Sequence, residues 1–268
     1  MDRFALCFVS LLFIFGIVSA GTVTLTGSCK TIISNNATAN FSLLNSGNDT
    51  AFNLVITPFI VGVQQQQKAY TISSLGPGSE KSIDANFTGI KQSGTYGGYF
   101  YAAYQQGSDV FMAVFPCLLS FFRQTQTQVL LSSNTTLGAN GDATVRISAF
   151  NEGADSLEML INLVVPPTFT YNGSEHYSLT LAPYQRGNVT FRLKVPSGQA
   201  SYSAAAFISY SKGNLSFASS STFVIAAQSQ TSAKLSSLIP DLAILAIVIV
   251  LILILVSILR RKRNRSQV

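Results

Sequence analysis

Two short stretches, Asn45-Ser46-Gly47 and Asn151-Glu152-Gly153, set the scale of what this chain can fold into. They stand 106 positions apart, and each follows a strand-like stretch, Ala39 to Leu44 and Ala143 to Phe150. Companion matches keep nearly the same offset. Tyr70-Thr71-Ile72 meets Tyr177-Ser178-Leu179 at 107, Ser93-Gly94 meets Ser197-Gly198 at 104, and Tyr104-Gln105-Gln106-Gly107 meets Tyr210-Ser211-Lys212-Gly213 at 106. A drift of a few residues is what loop insertions produce, so the chain reads as two copies of one unit of about 105 residues.

Each copy is written in period two. Phe41 and Leu43 alternate with Asn40 and Ser42, Ile83, Ala85 and Phe87 with Asp84 and Asn86, and Val189, Phe191, Leu193 and Val195 with Asn188, Thr190, Arg192 and Lys194. That is the signature of half-buried strands, and no long run with a 3.6-residue period interrupts it. Strands are expected near Val23 to Thr26, Ala39 to Leu44, Phe52 to Thr57, Ser79 to Phe87, Gly98 to Tyr104 and Val110 to Leu118. The glycines from Gly94 to Gly98 read as turn chemistry, and Pro58 and the pair Pro166-Pro167 as strand ends, because proline supplies no ladder donor. Tyr96 and Tyr202, close behind the Ser-Gly pairs, are placed to bond back to those turns or to fill a core. About seven short strands per 105 residues is the size of an immunoglobulin-like sandwich.

The fold class expected is all-β, with two tandem Ig-like β-sandwich domains at 21–122 and 123–225 and one C-terminal transmembrane α-helix. At the N-terminus, Ala5 to Val18 is apolar and Val18-Ser19-Ala20 suits signal peptidase, so residues 1–20 read as a signal peptide. Residues 226–238 read as a polar stalk. Leu242 to Leu259 is apolar except for Ser257, and its eighteen residues reach roughly 27 Å as a helix, close to the hydrocarbon thickness of a bilayer. The membrane helix is assigned to 239–259. Arg260, Arg261, Lys262, Arg263 and Arg265 follow it and set the orientation, with the nine-residue tail 260–268 cytoplasmic and the preceding chain extracellular.

Charge narrows the partners. Of eleven acidic residues Asp2 and Asp241 lie outside 21–238, and of seventeen basic ones Arg3 and the five of the tail do, leaving nine against eleven and a net charge of +2. The pI near 9.3 therefore belongs to the tail, and a nucleic-acid-binding face is not expected. The expected partners are the membrane itself and proteins or glycans outside the cell.

Cys29 and Cys117 are the cysteines left once Cys7 leaves with the signal peptide, and an even pair outside the cell reads as a disulfide. Asn-x-Ser/Thr sequons for N-glycosylation stand at Asn36, Asn40, Asn48, Asn86, Asn134, Asn172, Asn188 and Asn214, each on a loop or an outward strand position of this reading. Catalytic signals are missing. His176 has Glu175 beside it but no nucleophile elbow, and reads as a solvated strand-edge residue. Glu152, Asp155 and Glu158 match no EF-hand spacing and read as a solvated turn. No enzyme, cofactor or metal is expected.

The chain resembles the CARDB-like and related Ig-like repeats of archaeal and bacterial cell envelopes and surface layers. The resemblance rests on Ala143 to Pro167 with Leu181-Ala182-Pro183, and more loosely on Ala39 to Pro58 with Leu75-Gly76-Pro77-Gly78. It implies a fold and a cell-surface setting and carries no catalytic residues across. The function expected is that of a single-pass, membrane-anchored surface glycoprotein with a structural, adhesive or binding role. The alternative is an accessory subunit of a membrane complex for secretion, glycosylation or transport.

Overall fold

The computed structural model describes residues 21–33, 37–63, 68–138, 141–199 and 201–227. The expected signal peptide, membrane helix and basic tail, and the stalk beyond Ala227, lie outside the described residues. Among the described residues the protein is all-β, and no helix there is long and apolar enough to cross a membrane.

In the first half, β1 (Leu25–Ile32), β2 (Ala37–Asn45) and β5 (Glu80–Phe87) form one sheet in the order β1-β2-β5. They face β3 (Ala51–Ile60), β4 (Tyr70–Leu75), β6 (Ser93–Gln106) and β7 (Asp109–Phe121). In the second half, β8 (Val129–Leu137), β9 (Asp142–Asn151), β11 (Thr170–Tyr171) and β13 (Arg186–Lys194) form a sheet in the order β11-β13-β9-β8. It faces β10 (Leu157–Val164), β12 (His176–Leu181), β14 (Ser201–Lys212) and β15 (Leu215–Ala226).

Alternation delivers the apolar residues to two cores. Ala37, Ala39, Phe41 and Leu43 point inward from β2, where Phe41 stacks on Phe100 of β6 with centroids 4.1 Å apart. Phe87 meets Phe100 edge-on at 5.9 Å. Each such ring is worth about 1.5–3 kcal/mol of burial. The second core gathers Val145, Ile147, Met159, Ile161 and Phe191 against Ala204, Ala206 and Ile208. Phe191 and Leu193 of β13 face inward as the alternation requires.

Pro58 departs from expectation: it lies inside β3, buried and paired with Phe100. Val61 donates its N–H to Gly97 O at 2.9 Å, so alternation turns the backbone nitrogen of Pro58 to the opposite edge. On that edge β4 pairs only as far as Ile56, so the missing donor costs no ladder bond.

The two halves share their second layer. Strand β15 runs parallel to β6 at Leu215↔Ser93 and Ser216↔Gly94, which joins the inner sheets into one of order β12-β10-β14-β15-β6-β3-β4, with β7 on β6. A small third core, Val114, Ala205 and Phe207 with Tyr99, Tyr101 and Val164 against it, fills the angle between them. Ser203 Oγ donates to Val114 O at 2.7 Å, and Thr125 Oγ1 in the connecting segment donates to Ser216 O at 2.6 Å. The described residues through Ala227 form one compact unit.

This junction explains the glycines read as a turn. Gly94, Gly97 and Gly98 lie within β6, not in a turn. A Cβ at Gly94, whose φ is +135°, would stand 2.2 Å from Ser216 O, and one at Gly97 would stand 2.8 Å from Phe207 Cδ1. Gly94 and Gly97 are needed because β6 is approached closely from the second half, whereas Gly98 is closed in by Leu119 of β7, 2.8 Å from where its Cβ would stand.

Candidate functional site

Cys29 on β1 and Cys117 on β7 are joined by a disulfide, Cα to Cα 5.5 Å across a separation of 88 residues. The bond ties the β1-β2-β5 sheet to the shared sheet, and Thr31 Oγ1 beside it donates to Leu118 O.

Seven of the eight sequon asparagines are described, and Asn36 lies outside the described residues. Asn40 and Asn86 are on the solvent face of the β1-β2-β5 sheet, where Asn40 Nδ2 donates to Asp84 Oδ1 at 2.8 Å and Thr38 Oγ1 to Asn86 Oδ1 at 3.1 Å. Asn134 and Asn188 occupy the corresponding solvent face of the β11-β13-β9-β8 sheet. Asn48, Asn172 and Asn214 are in connections, and Asn48 Oδ1 accepts from Thr22 N at 2.7 Å. All but the half-exposed Asn40 are exposed, and none of the seven lies on a strand of the shared sheet. The basic residues Arg260, Arg261, Lys262, Arg263 and Arg265 lie outside the described residues.

The hydroxyl of Tyr96 donates to Gln92 O at 2.6 Å and that of Tyr202 to Pro196 O at 3.1 Å, so both tyrosines bond back to the segment before their strand. In the acidic turn, Asp155 pairs with Lys212, raising the lysine's pKa, and Ser178 Oγ donates to Glu158 Oε1 at 3.4 Å. Among the described residues no three His, Cys, Asp or Glu side chains are grouped to hold a metal ion.

The feature the sequence did not announce is a cleft of about 650 Å³ where the two halves meet. One wall is the end of β3 and its turn, Phe59 to Val63, with Tyr99 of β6. The other is the second part of β10 with Val165 to Pro167, Phe169, Tyr171, Glu175 and His176. Phe59 stacks on Tyr99 with centroids 5.1 Å apart, and behind it Tyr99 leans on Phe207 of the junction core at 6.3 Å. A continuous file of rings thus runs from the cleft into the interface and holds the outer ring in place.

Polar groups are few. Tyr171 spends its hydroxyl on Leu163 O at 2.7 Å. Burial and the neighbouring Glu175 carboxylate push Tyr99 up to about 12, and the same causes raise Tyr171 further. Asn162, on the cleft side of β10 and opposite His176 of β12, keeps a buried Nδ2 with no hydrogen-bond partner. His176, expected at an exposed strand edge, is indeed the exposed first residue of β12, and the fold sets it on the cleft rim beside Glu175. Among the described residues no lysine or arginine lines the cleft.

No family model matches the chain, and no curated protein matches it. Solved structures similar to parts of it include the Escherichia coli α-2-macroglobulin activated by porcine elastase, at 10% identity, covering 79% of this chain and 22% of that one with a TM-score of 0.30. A Salmonella α-2-macroglobulin mutant matches at 12% identity, with 77% and 16% covered and a TM-score of 0.32. Red sea bream transglutaminase matches at 10% identity, with 76% and 31% covered and a TM-score of 0.28. The chain spans between about a sixth and a third of the length of these proteins. Similarity at this level identifies neither an activity nor a partner.

Proposed function

We propose that this chain is a membrane-anchored surface glycoprotein with a structural, adhesive or binding role in the cell envelope, its two Ig-like sandwiches held outside by the helix at 239–259. The placement of the sequons carries the reading. Every described sequon asparagine is on a solvent face or in a connection, where a bulky glycan can be attached without entering a core. The Cys29–Cys117 bridge belongs to an oxidising, extracytoplasmic compartment. The resemblance to CARDB-like envelope repeats fits the same setting and is part of the proposal.

Intact mass of the chain purified from its native membrane tests the glycoprotein reading: a mass well above that of the polypeptide is expected, and a mass equal to it would overturn the reading. Protease added to intact cells tests the topology. It should remove the region of residues 21–227 and leave the tail epitope protected.

A second reading, an accessory subunit of a membrane complex, has its own observation. Phe52, Val55 and Val110 are exposed on one face of the shared sheet that carries no sequon. Purification in mild detergent would recover stoichiometric membrane partners if that face is covered in the cell, and a lone chain if it is not.

A further inference from the structure

We propose that the cleft between the two halves is a binding site for a neutral carbohydrate, with Phe59 as the stacking platform and Asn162, Glu175 and His176 as the polar wall. The proposal goes beyond the anchoring and glycosylation proposed above and requires neither.

Size comes first: about 650 Å³ lies inside the ~300–1,000 Å³ range of small-molecule clefts. The chemistry of the wall then selects the ligand. A pyranose has an apolar C–H face and a rim of hydroxyls that both donate and accept. Phe59 supplies a flat apolar surface made rigid by Tyr99 behind it. Asn162 supplies an amide donor that has no partner of its own, Glu175 an acceptor, and the imidazole of His176 either role. An unpaired buried amide is costly, and a turn of the Asn162 side chain toward a ligand hydroxyl would satisfy it. Anionic ligands are disfavoured, since among the described residues no lysine or arginine lines the cleft and Glu175 would repel them. A peptide docked by its backbone would need a row of main-chain donors and acceptors, whereas the polar groups here are clustered side chains. Because the walls come from both halves, the site exists only while the β6–β15 junction holds them together.

The full-length chain in detergent should be presented to an array of neutral oligosaccharides built from glucose, galactose, mannose and N-acetylglucosamine, with sialyllactose and hexaproline as competitors in class. Saturable binding of at least one neutral oligosaccharide is expected, weakened about tenfold or more by Phe59→Ala, a loss of about 1.4 kcal/mol or more. Asn162→Leu should bind as poorly while unfolding at the same or a higher temperature, and Tyr184→Ala, at an exposed tyrosine outside the cleft, should bind as the parent does. If the folded chain binds no neutral sugar, binds hexaproline or sialyllactose in preference, or is indifferent to both cleft substitutions, the proposal is wrong.

Discussion

Asn45 and Asn151, 106 residues apart in the sequence, are the same clamp built twice. Both are completely buried. Asn45 Nδ2 donates to Asp49 O at 2.7 Å and Leu75 O at 2.9 Å, and Asn151 Nδ2 to Asp155 O at 2.8 Å and Leu181 O at 3.3 Å. Each Oδ1 accepts the N–H two residues on, Gly47 at 3.1 Å and Gly153 at 3.0 Å. One amide thus folds its own turn and holds the end of a neighbouring strand, β4 or β12.

Replacing either asparagine by alanine takes away the donor to two carbonyls at Asn45, or three at Asn151, and the acceptor of one N–H beside a closed core. Asn45→Ala and Asn151→Ala are each expected to lower unfolding free energy by about 2–4 kcal/mol, and the double variant by nearly the sum, since the clamps serve separate cores. Urea denaturation of the three variants measures this. Loss at one site and none at the other would show that the repeat is not energetically matched.

The disulfide should matter most in the denatured chain. With its cysteines 88 positions apart, loss of the Cys29–Cys117 bridge by a Cys→Ser pair is expected to lower stability by up to about 4–5 kcal/mol. Thermal unfolding with and without reductant checks it, and reductant should leave the serine variant unmoved.

High pH should loosen the junction. Burial pushes the Tyr99 and Tyr101 hydroxyls up to about 12, against 10 for the free side chain. A raised folded pKa means stability is full below pH 10 and is lost as pH rises from 10 through 12. The raised Tyr99 hydroxyl contributes on the order of 2 kcal/mol. Denaturant midpoints between pH 9 and 12 should fall less steeply in Tyr99→Phe than in the parent.

Adding one methyl group at Gly94 should separate the halves. The new Cβ would meet Ser216 backbone at 2.2 Å in a strand whose φ of +135° already disfavours a side chain. Gly94→Ala is expected to abolish the β6–β15 pairing and convert a single denaturation transition into two, or into a broadened one. Gly213→Ala, at a hairpin turn with nothing within 4 Å of its Cβ, should keep a single sharp transition and lose only the strain of its own positive φ.

Some of this was open to reading from residues alone. Period-two alternation placed Phe41 and Leu43 inward on β2 and Phe191 and Leu193 inward on β13, because a strand's side chains have only two directions. The matched Tyr104 and Tyr210 recur as cross-strand partners of Phe111 and Phe217, at 5.6 and 5.0 Å, beside two-residue turns led by Gly107 and Gly213. Other features were misread for want of a third dimension. Pro58 and Gly94 to Gly98 carry local signals for a strand end and a turn, yet both are strand residues tolerated for what lies, or does not lie, beside them. The sequence does mark the covered strand: Ala204-Ala205-Ala206-Phe207-Ile208 on β14 is apolar without alternation, as in a strand covered on both faces. The cleft gave no signal at all, since Phe59, Tyr99, Asn162 and His176 come from four strands or their ends and each reads as an ordinary strand residue.

What the sequence by itself determined is everything that depends on neighbours along the chain: alternating strands, a repeat near 105 residues and the asparagine turns. Which sheet edges meet was decided by the tertiary structure. Joining β6 to β15 depends on the absence of a Cβ at Gly94, on Phe207 reaching into the space left at Gly97 and on Thr125 bridging the linker to Ser216. Those contacts are between residues about 90 to 120 positions apart, so no local pattern encodes them. Only when they form do the two halves enclose a cleft.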